Sequence, residues 1–559
     1  MIGELEGDDI KVKNKMVNAW VDFISFGEFS NEDSWKSVES RDIHQYWNIS
    51  GPNPSMHTNS GSLEGRMLLW EEVMFSDIAP PVVCLNTNEN VCYNGSWKTT
   101  GIENHGQYDH NAIYASFQGI QYGQAPIGDL RFKAPLPFTD VDGIHDVSKK
   151  ADILCPQFDG REYDINQVTE NCLFLNVYVP KIVLDRSDYP KAVLVWIHGG
   201  ALQTGSGRFD EYGPQYFMEQ ENTIIVTINY RLGPLGFLSL GNEDVPGNAG
   251  FKDQIMALQW VNDNIAKFGG DTVRIAIAGE SAGSASVALH LVSPLSNGLF
   301  QRAILQSGTG LSPGWHPHTP DEGLKQGEMI TEALNCKGAE YILTCLQSKD
   351  VIDIVKMRLE NAPSYMAIQD DDFTNTPYLP SSVEEIFQSG QFNTDVQVII
   401  GTNLDEGILT VGPATHGYSE WDSFRQDMKE NGPTTLFNIA DPSDFTHEDF
   451  ERVNTLVEYY TGSFDNINKQ HTQGAVDMIT DSLFQYGTHQ TIKYLVENNV
   501  TVYQYLLTYQ GEYSTSPIFG VPAHNGVCHG EDLIYLWVIK SYGLADITQV
   551  LGNSTTYLQ

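Results

Sequence analysis

The chain has 559 residues, 41% of them hydrophobic, and carries 72 acidic against 32 basic side chains, a formal net charge of -40. That imbalance excludes nucleic acid and anionic membrane surfaces as partners, favours solubility, and would steer cationic ligands inward. No run of eighteen apolar residues offers a membrane span, no block is low in complexity, and the length suits one large α/β core.

In chain order, the opening "MIGELEGDDIKVKNK" lacks the apolar core of a secretory signal, so either a signal has been removed or the chain is part of something longer. Met16, Val17, Trp20, Val21 and Ile24 then recur on one helical face, and Gly27 suits the stop. "WKSVES" leading into "HQYWNIS" reads as a strand, and "LEGRMLLWEEVMF" as a helix. Further on, Ala192–Ile197, Val273–Ala278, Val396–Ile400 and Thr501–Leu507 are short apolar, β-branched runs of the kind that form buried strands.

Six of the seven cysteines fall into three close pairs in sequence order, Cys84 and Cys92, Cys155 and Cys172, Cys336 and Cys345, and Cys528 is left over. No zinc-type spacing occurs, so disulfides are the better reading than metal. A Cys155–Cys172 bridge would be worth about 3 kcal/mol by loop closure. Sequons at Asn48, Asn94, Asn499 and Asn553, together with the paired cysteines, predict an oxidising, secretory compartment.

The chemistry is concentrated in "IAIAGESAGSASVALHLV", Ile275 to Val292. Ser281 stands between Gly279 and Gly283, after a strand and before small and apolar residues of helical character. A glycine-flanked serine alone is ordinary turn chemistry, but strand, sharp turn and helix together make a nucleophile elbow. Donors for an oxyanion would be backbone N–H groups of the small residues after His198 in "HGGA", joined by the N–H of Ala282. His198 itself flanks that turn and reads as structural. The base should lie downstream: His529 in "NGVCHGEDLIYLW", with His524 as competitor. The orienting acid should follow a strand, and after Val396–Ile400 both Asp405 and Glu406 qualify.

At these residues the chain resembles the type-B carboxylesterase/cholinesterase family of α/β-hydrolases. "FGGDTVRIAIAGESAG" resembles the family's serine signature, and "ENCLFLNVYVP" its second signature, with Asn171 for the usual aspartate. "GIQYGQAPIGDLRFKAP", "NYRLGPLGFLS" and "VPGNAGFKDQIMALQWVNDNIAKFGGD" extend the likeness over nearly the whole chain. The resemblance implies an α/β-hydrolase fold, a large, mostly parallel central sheet with helices on both faces. It implies Ser281 as nucleophile, Glu406 rather than Asp405 as acid, and His529 as base. Gly200, Ala201 and Ala282 become the oxyanion donors, with Ala201 where many members have a third glycine. It also implies disulfides Cys155–Cys172 and Cys336–Cys345; the pair Cys84–Cys92 resembles a hairpin bridge of some arthropod-like members.

The order of segments departs from the family. Residues 1–78 resemble its closing helix, strand and helix, whereas its opening hairpin starts near Val82. Joining Gln559 to Met1 gives one complete domain, so residues 1–559 read as a single, circularly permuted domain, with 79–559 its opening and catalytic portion. A register cut from a tandem array, or exchange of residues 1–78 between molecules, would give the same order. The expected activity is secreted hydrolysis of an uncharged small-molecule carboxylic ester through an acyl-enzyme, with no metal or organic cofactor. The loop from Cys155 to Cys172 has Phe158 and Tyr163 but not the tryptophan that contacts choline in cholinesterases, and Glu280 stands where juvenile-hormone-hydrolysing members tend to have glutamine. The alternative is a silent adhesion or scaffold protein of the same fold.

Overall fold

The computed structural model describes residues 7–27, 47–49, 79–85, 90–100, 112–139, 141–149, 151–157, 168–185, 190–357, 365–412, 418–437, 439, 442–468, 472–511, 513–519, 521 and 526–539. Phe158, Tyr163, His524, Asn553, the strand expected at 35–50 apart from residues 47–49, and the helix expected at 63–75 lie outside them.

Thirteen strands are described: β1 (Trp47–Ile49), β2 (Val82–Cys84), β3 (Val91–Asn94), β4 (Ser96–Thr99), β5 (Ile113–Gln121), β6 (Gly143–Asp146), β7 (Phe174–Pro180), β8 (Lys191–Ile197), β9 (Thr223–Ile228), β10 (Gly270–Glu280), β11 (Arg302–Gln306), β12 (Gln397–Asn403) and β13 (Thr501–Leu507). Ten form one sheet in the order β1-β13-β12-β11-β10-β8-β9-β7-β5-β4, and β2-β3-β6 form a small second sheet. The large sheet is parallel from β1 through β9 and antiparallel from there to β4. The expected strands are therefore present, with β10 starting three residues before the apolar run; Val273, the first residue of that run, is solvent-exposed rather than buried.

Three helices cover the faces of this sheet around the site: α1 (Gly7–Phe26), α2 (Ala249–Asn264) and α3 (Ala282–Val292). Alternation along the central strands feeds two cores. Val193, Val195 and Ile197 of β8 and Ile275 and Ile277 of β10 enter one, with α2 and α3 packed over them. Leu194 and Trp196 of β8 and Ala276 and Ala278 of β10 enter the other. Burial on both faces is why these strands read as continuous apolar runs rather than alternating ones.

The second core is closed by α1, from the opposite end of the chain to the histidine candidate. Its predicted face is buried as expected, with Met16, Val17, Trp20, Val21 and Ile24 at 0–5% exposure, and Gly27 ends it at φ +75°. Trp20 meets Tyr505 of β13 edge-on at 5.4 Å. Polar ties reinforce the seat: Tyr509 OH donates to Asp9 Oδ1 (2.6 Å), Lys13 pairs with Glu219 (3.1 Å) and Gln397 Nε2 donates to the Gly27 carbonyl (2.9 Å). Disulfides join Cys84 to Cys92, Cys155 to Cys172 and Cys336 to Cys345, and Cys528 is a buried free thiol.

Replacing Trp20 by Ala should therefore cost about 3–5 kcal/mol, as for other buried aromatic truncations. The urea midpoint checks this; an unchanged midpoint would mean that α1 is not seated in the second core.

Candidate active site

Ser281 sits where β10 turns into α3, at φ 59° and ψ -125°. This is a sparsely populated conformation for a residue with a Cβ, of the order of 1–3 kcal/mol in strain, and it persists because the surroundings fix it. The Ser281 N–H continues the sheet ladder onto the Gln306 carbonyl at 2.8 Å, and Ala285 N returns to the Ser281 carbonyl at 2.9 Å. The flanking glycines are required by space. A Cβ at Gly279 would lie 2.4 Å from the Gly283 carbonyl carbon, and one at Gly283 would lie 2.1 Å from the Ile197 carbonyl oxygen. Only without both side chains can α3 pack this close to β8 and β10.

The turn after β8 is bent in the same way. Gly200, Ala201 and Leu202 have φ of 102°, 54° and 59° in succession. Successive left-handed residues turn N–H groups to one side, forming an anion-binding concavity. The Gly200 carbonyl is occupied by Gln203 N (2.9 Å) and Thr204 N (3.0 Å). Among the described hydrogen bonds, none uses the N–H of Gly200 or Ala201, and the N–H of Ala282 is a free first-turn donor at the positive end of α3. His198 is buried and stacks on Tyr230 at 4.4 Å, with Nδ1 on the Gly199 carbonyl at 2.8 Å. Burial pushes it down to about 4. It is a neutral strut of the turn, as its position in the sequence suggests.

Of the two candidate carboxylates, Glu406 reaches His529: its Oε2 lies 2.6 Å from Nδ1. Its other oxygen accepts from Asn403 N at 2.7 Å and from Ser307 Oγ at 2.5 Å. Asp405 instead accepts from Val527 N and Gln473 Nε2, both at 2.8 Å, and so fastens the loop that leads to the histidine. The structure thus brings Glu406 and His529 together and gives Asp405 a supporting place.

On its other side, His529 Nε2 lies 3.1 Å from Glu280 Oε1, an ion pair by distance without hydrogen-bond alignment. Among the described hydrogen bonds, none joins Ser281 Oγ to His529; Glu280, the preceding residue, faces the imidazole instead. Burial pushes Glu280 up to about 8 against the pull of His529. Burial would lower His529, but Glu280 and then Glu406 override it and push the imidazole up to about 9. Asp532 lies just behind, held by Gln306 Nε2 (2.7 Å) and Tyr505 OH (2.9 Å). Glu531 accepts from Thr515 N (2.9 Å) and Ser514 Oγ (3.0 Å). Ser307, Asn403 and these two carboxylates are not legible as site residues in the sequence. Only the acidic pair directly after "HG" hints at them, and nothing local says which backbone a buried carboxylate will meet.

Comparison with known proteins gives a consistent picture. A model of the carboxylesterase family matches residues 98–550. The juvenile hormone esterase of Tribolium castaneum is 33% identical over 472 residues, 78% of this chain and 76% of that protein. Esterase FE4 of Myzus persicae is 32% identical over 462 residues, 78% of each. The crystal structure of juvenile hormone esterase from Manduca sexta, with OTFP covalently attached, matches with a TM-score of 0.69 at 27% identity, covering 82% of this chain and 84% of that one.

Glu280→Gln removes a negative charge beside Nε2 and leaves its volume. A neighbouring opposite charge raises an imidazole's pKa, so its loss lowers it, by about 1–2 pH units for a contact of this kind. The neutral base then persists to lower pH, and the acid limb of the kcat/KM profile should move down by that amount; an unmoved limb would show that Glu280 does not act on His529.

Proposed function

The chain belongs to the carboxylesterase family and is a carboxylic ester hydrolase, and from that premise we propose that Ser281 is its nucleophile, His529 its base and Glu406 the carboxylate that orients the base. The observation that carries this reading is the 2.6 Å contact of Glu406 with His529 Nδ1, which fixes the tautomer so that Nε2 is the basic nitrogen. Nε2 takes the Ser281 proton as Oγ bonds to the ester carbonyl carbon, and the carbonyl electron pair moves onto oxygen. The N–H groups of Gly200, Ala201 and Ala282 hold that oxyanion, each worth about 3 kcal/mol. Collapse breaks the bond to the alcohol oxygen, which leaves with the proton from His529. Water then repeats the steps on the acyl-enzyme and releases the carboxylic acid and the free serine.

The substrate is an uncharged carboxylic ester. Three buried carboxylates, Glu280, Glu406 and Asp532, act on His529, and no described lysine or arginine forms an ion pair with any of them. No described lysine or arginine is placed there to pair with an anionic substrate. Juvenile hormone esterases among the relatives favour an apolar ester, while Glu280 speaks against the hormone itself. The protein is secreted, a reading supported by its three disulfides and by the exposure of Asn499 in the turn before β13; Asn48, Asn94 and Asn553 are its other glycan acceptors. No described helix is long and apolar enough to cross a membrane.

The domain is permuted in order: residues 1–78 supply the family's closing segment and 79–559 the rest. Support comes from α1, which packs into the second core with Leu533 and Leu536, just after the histidine turn, and from β1, which adds the outermost strand beside β13. Exchange of residues 1–78 with a neighbouring molecule would use the same contacts. A chain reordered to begin at Ala79, with Gln559 joined to Met1, should be monomeric by light scattering and keep kcat/KM within about threefold, because tolerated permutations leave the packed core unchanged. An inactive or aggregated product would count against the permuted order.

The activity itself is read with p-nitrophenyl esters and an organophosphate label. The wild type should turn over and be labelled once per chain, and Ser281→Ala should lose both, by about 10⁴-fold or more in rate as when other nucleophiles are removed. A folded, unlabelled wild type would return the fold to a scaffold role.

A further inference from the structure

The helix that lines the site is broken by a single π-type turn, Asp481–Gln485, between the helical segments Thr472–Thr480 and Tyr486–Glu497. Such turns insert one extra residue, rotate the helix beyond them, and occur often at functional sites. Here the rotated residue is Phe484. It is fully buried, its ring lies 5.0 Å from the His529 imidazole at 50°, and Trp315 packs edge-on against its other side at 5.2 Å. Phe519 stands 6.5 Å from the imidazole.

The turn is pinned at one end to β12 and at the other to the turn after it that carries the acid. Gly407 N, next to Glu406, donates to Thr480 Oγ1 at 2.9 Å, and Gln485 Nε2 donates to Thr402 Oγ1 at 2.6 Å. Between those anchors, Asp481 Oδ2 accepts from Tyr460 OH (2.5 Å) and Ser482 Oγ donates to the Leu436 carbonyl (2.6 Å). One turn later, Gly487 lies so close to Ser312 that a Cβ would fall 2.2 Å from its Oγ. Phe484 and Glu406 therefore approach His529 as one rigid unit, braced against the segment that bears Trp315.

The carboxylates of Glu406 and Glu280 restrain the imidazole at its two nitrogens. Two points leave rotation about the line between them free. A ring packed 5.0 Å from the imidazole and tilted 50° to it obstructs that rotation. We propose that Phe484, aimed by the π-type turn, is a positioning residue for His529, acting on proton transfer to the leaving alcohol rather than as a wall for the acyl chain.

This inference rests on the proposed roles of Ser281 and His529, so both are tested together. Wild type, Ser281→Ala, Phe484→Leu and Phe484→Met are compared on p-nitrophenyl butyrate and ethyl butyrate, which share one acyl group. The nitrophenolate leaves almost unaided, whereas ethoxide needs the proton from His529. Positioned proton transfer contributes about 10²–10⁴ in rate, so partial misalignment in Phe484→Leu should lower kcat/KM, which reads acylation and not the shared deacylation, about tenfold on the ethyl ester. The loss on the nitrophenyl ester should be clearly smaller, and KM should stay near wild type on both. The Met variant, also close in volume but without the ring, should behave alike and guards against a folding defect peculiar to Leu; urea midpoints report whether each variant is folded. Equal losses on the two esters, or a change confined to KM, would overturn the positioning role. Full activity in Ser281→Ala would instead overturn the triad.

Discussion

The close approach of α3 to the ends of β8 and β10 is the constraint on which the rest depends. It needs two residues without side chains, Gly279 and Gly283, and it forces Ser281 between them to a positive φ. Neighbouring parallel strands supply the force that holds it there: Ser281 N is spent on Gln306, Ser284 Oγ on the Gly308 carbonyl at 2.6 Å, and the Ile197 carbonyl lies against Gly283. Because β8 ends beside the same turn, its own left-handed run from Gly200 to Leu202 faces the free end of α3. One packing contact thus sets Ser281 and the N–H groups of Gly200, Ala201 and Ala282 in register.

The electrostatics around the histidine follow from burial rather than from exposed charge. Arginines are used elsewhere in bidentate pairs: Arg231 grips Asp253 at 2.7 and 2.6 Å, and Arg131 grips Glu170 at 2.7 and 2.6 Å. Glu406, Asp532 and Glu531 instead accept from neutral donors, Ser307 and Asn403, Gln306 and Tyr505, and Thr515, while Glu280 faces the imidazole. A buried anion held by neutral dipoles keeps its field, while one paired with arginine is largely cancelled. Glu280 and Glu406 together raise the affinity of His529 for a proton against the effect of its burial. The net charge of -40 is in large part a matter of solvated surface and says little about this local field.

The N-terminal helix shows how a domain can be closed by a segment from the far end of the chain. Its apolar face is ordinary and fits the groove between β13, β8 and the short helix Leu533–Leu536. Asp9 and Tyr509 bond across a separation of 500 residues, as closely as near neighbours would. What the core requires is the face, supplied from either end, since burial is blind to chain order.

The sequence by itself determined the sheet's central strands, the face and end of α1, and the elbow at Ser281; the pairing of the cysteines came from the family resemblance. Each of the first three depends on neighbours within a few residues: apolar runs, a helical period, glycines around a serine. Choosing Glu406 over Asp405 from the residues alone was beyond it, since two adjacent carboxylates after a strand differ only in what a distant loop brings to each. The tertiary structure decided that choice by giving Asp405 to Val527 and Glu406 to His529. It also decided the contact of Glu280 with the imidazole and the arrival of Phe484 on its face, because a one-residue shift in a helix and a carboxylate's partner are fixed by packing between segments more than forty residues apart in the chain.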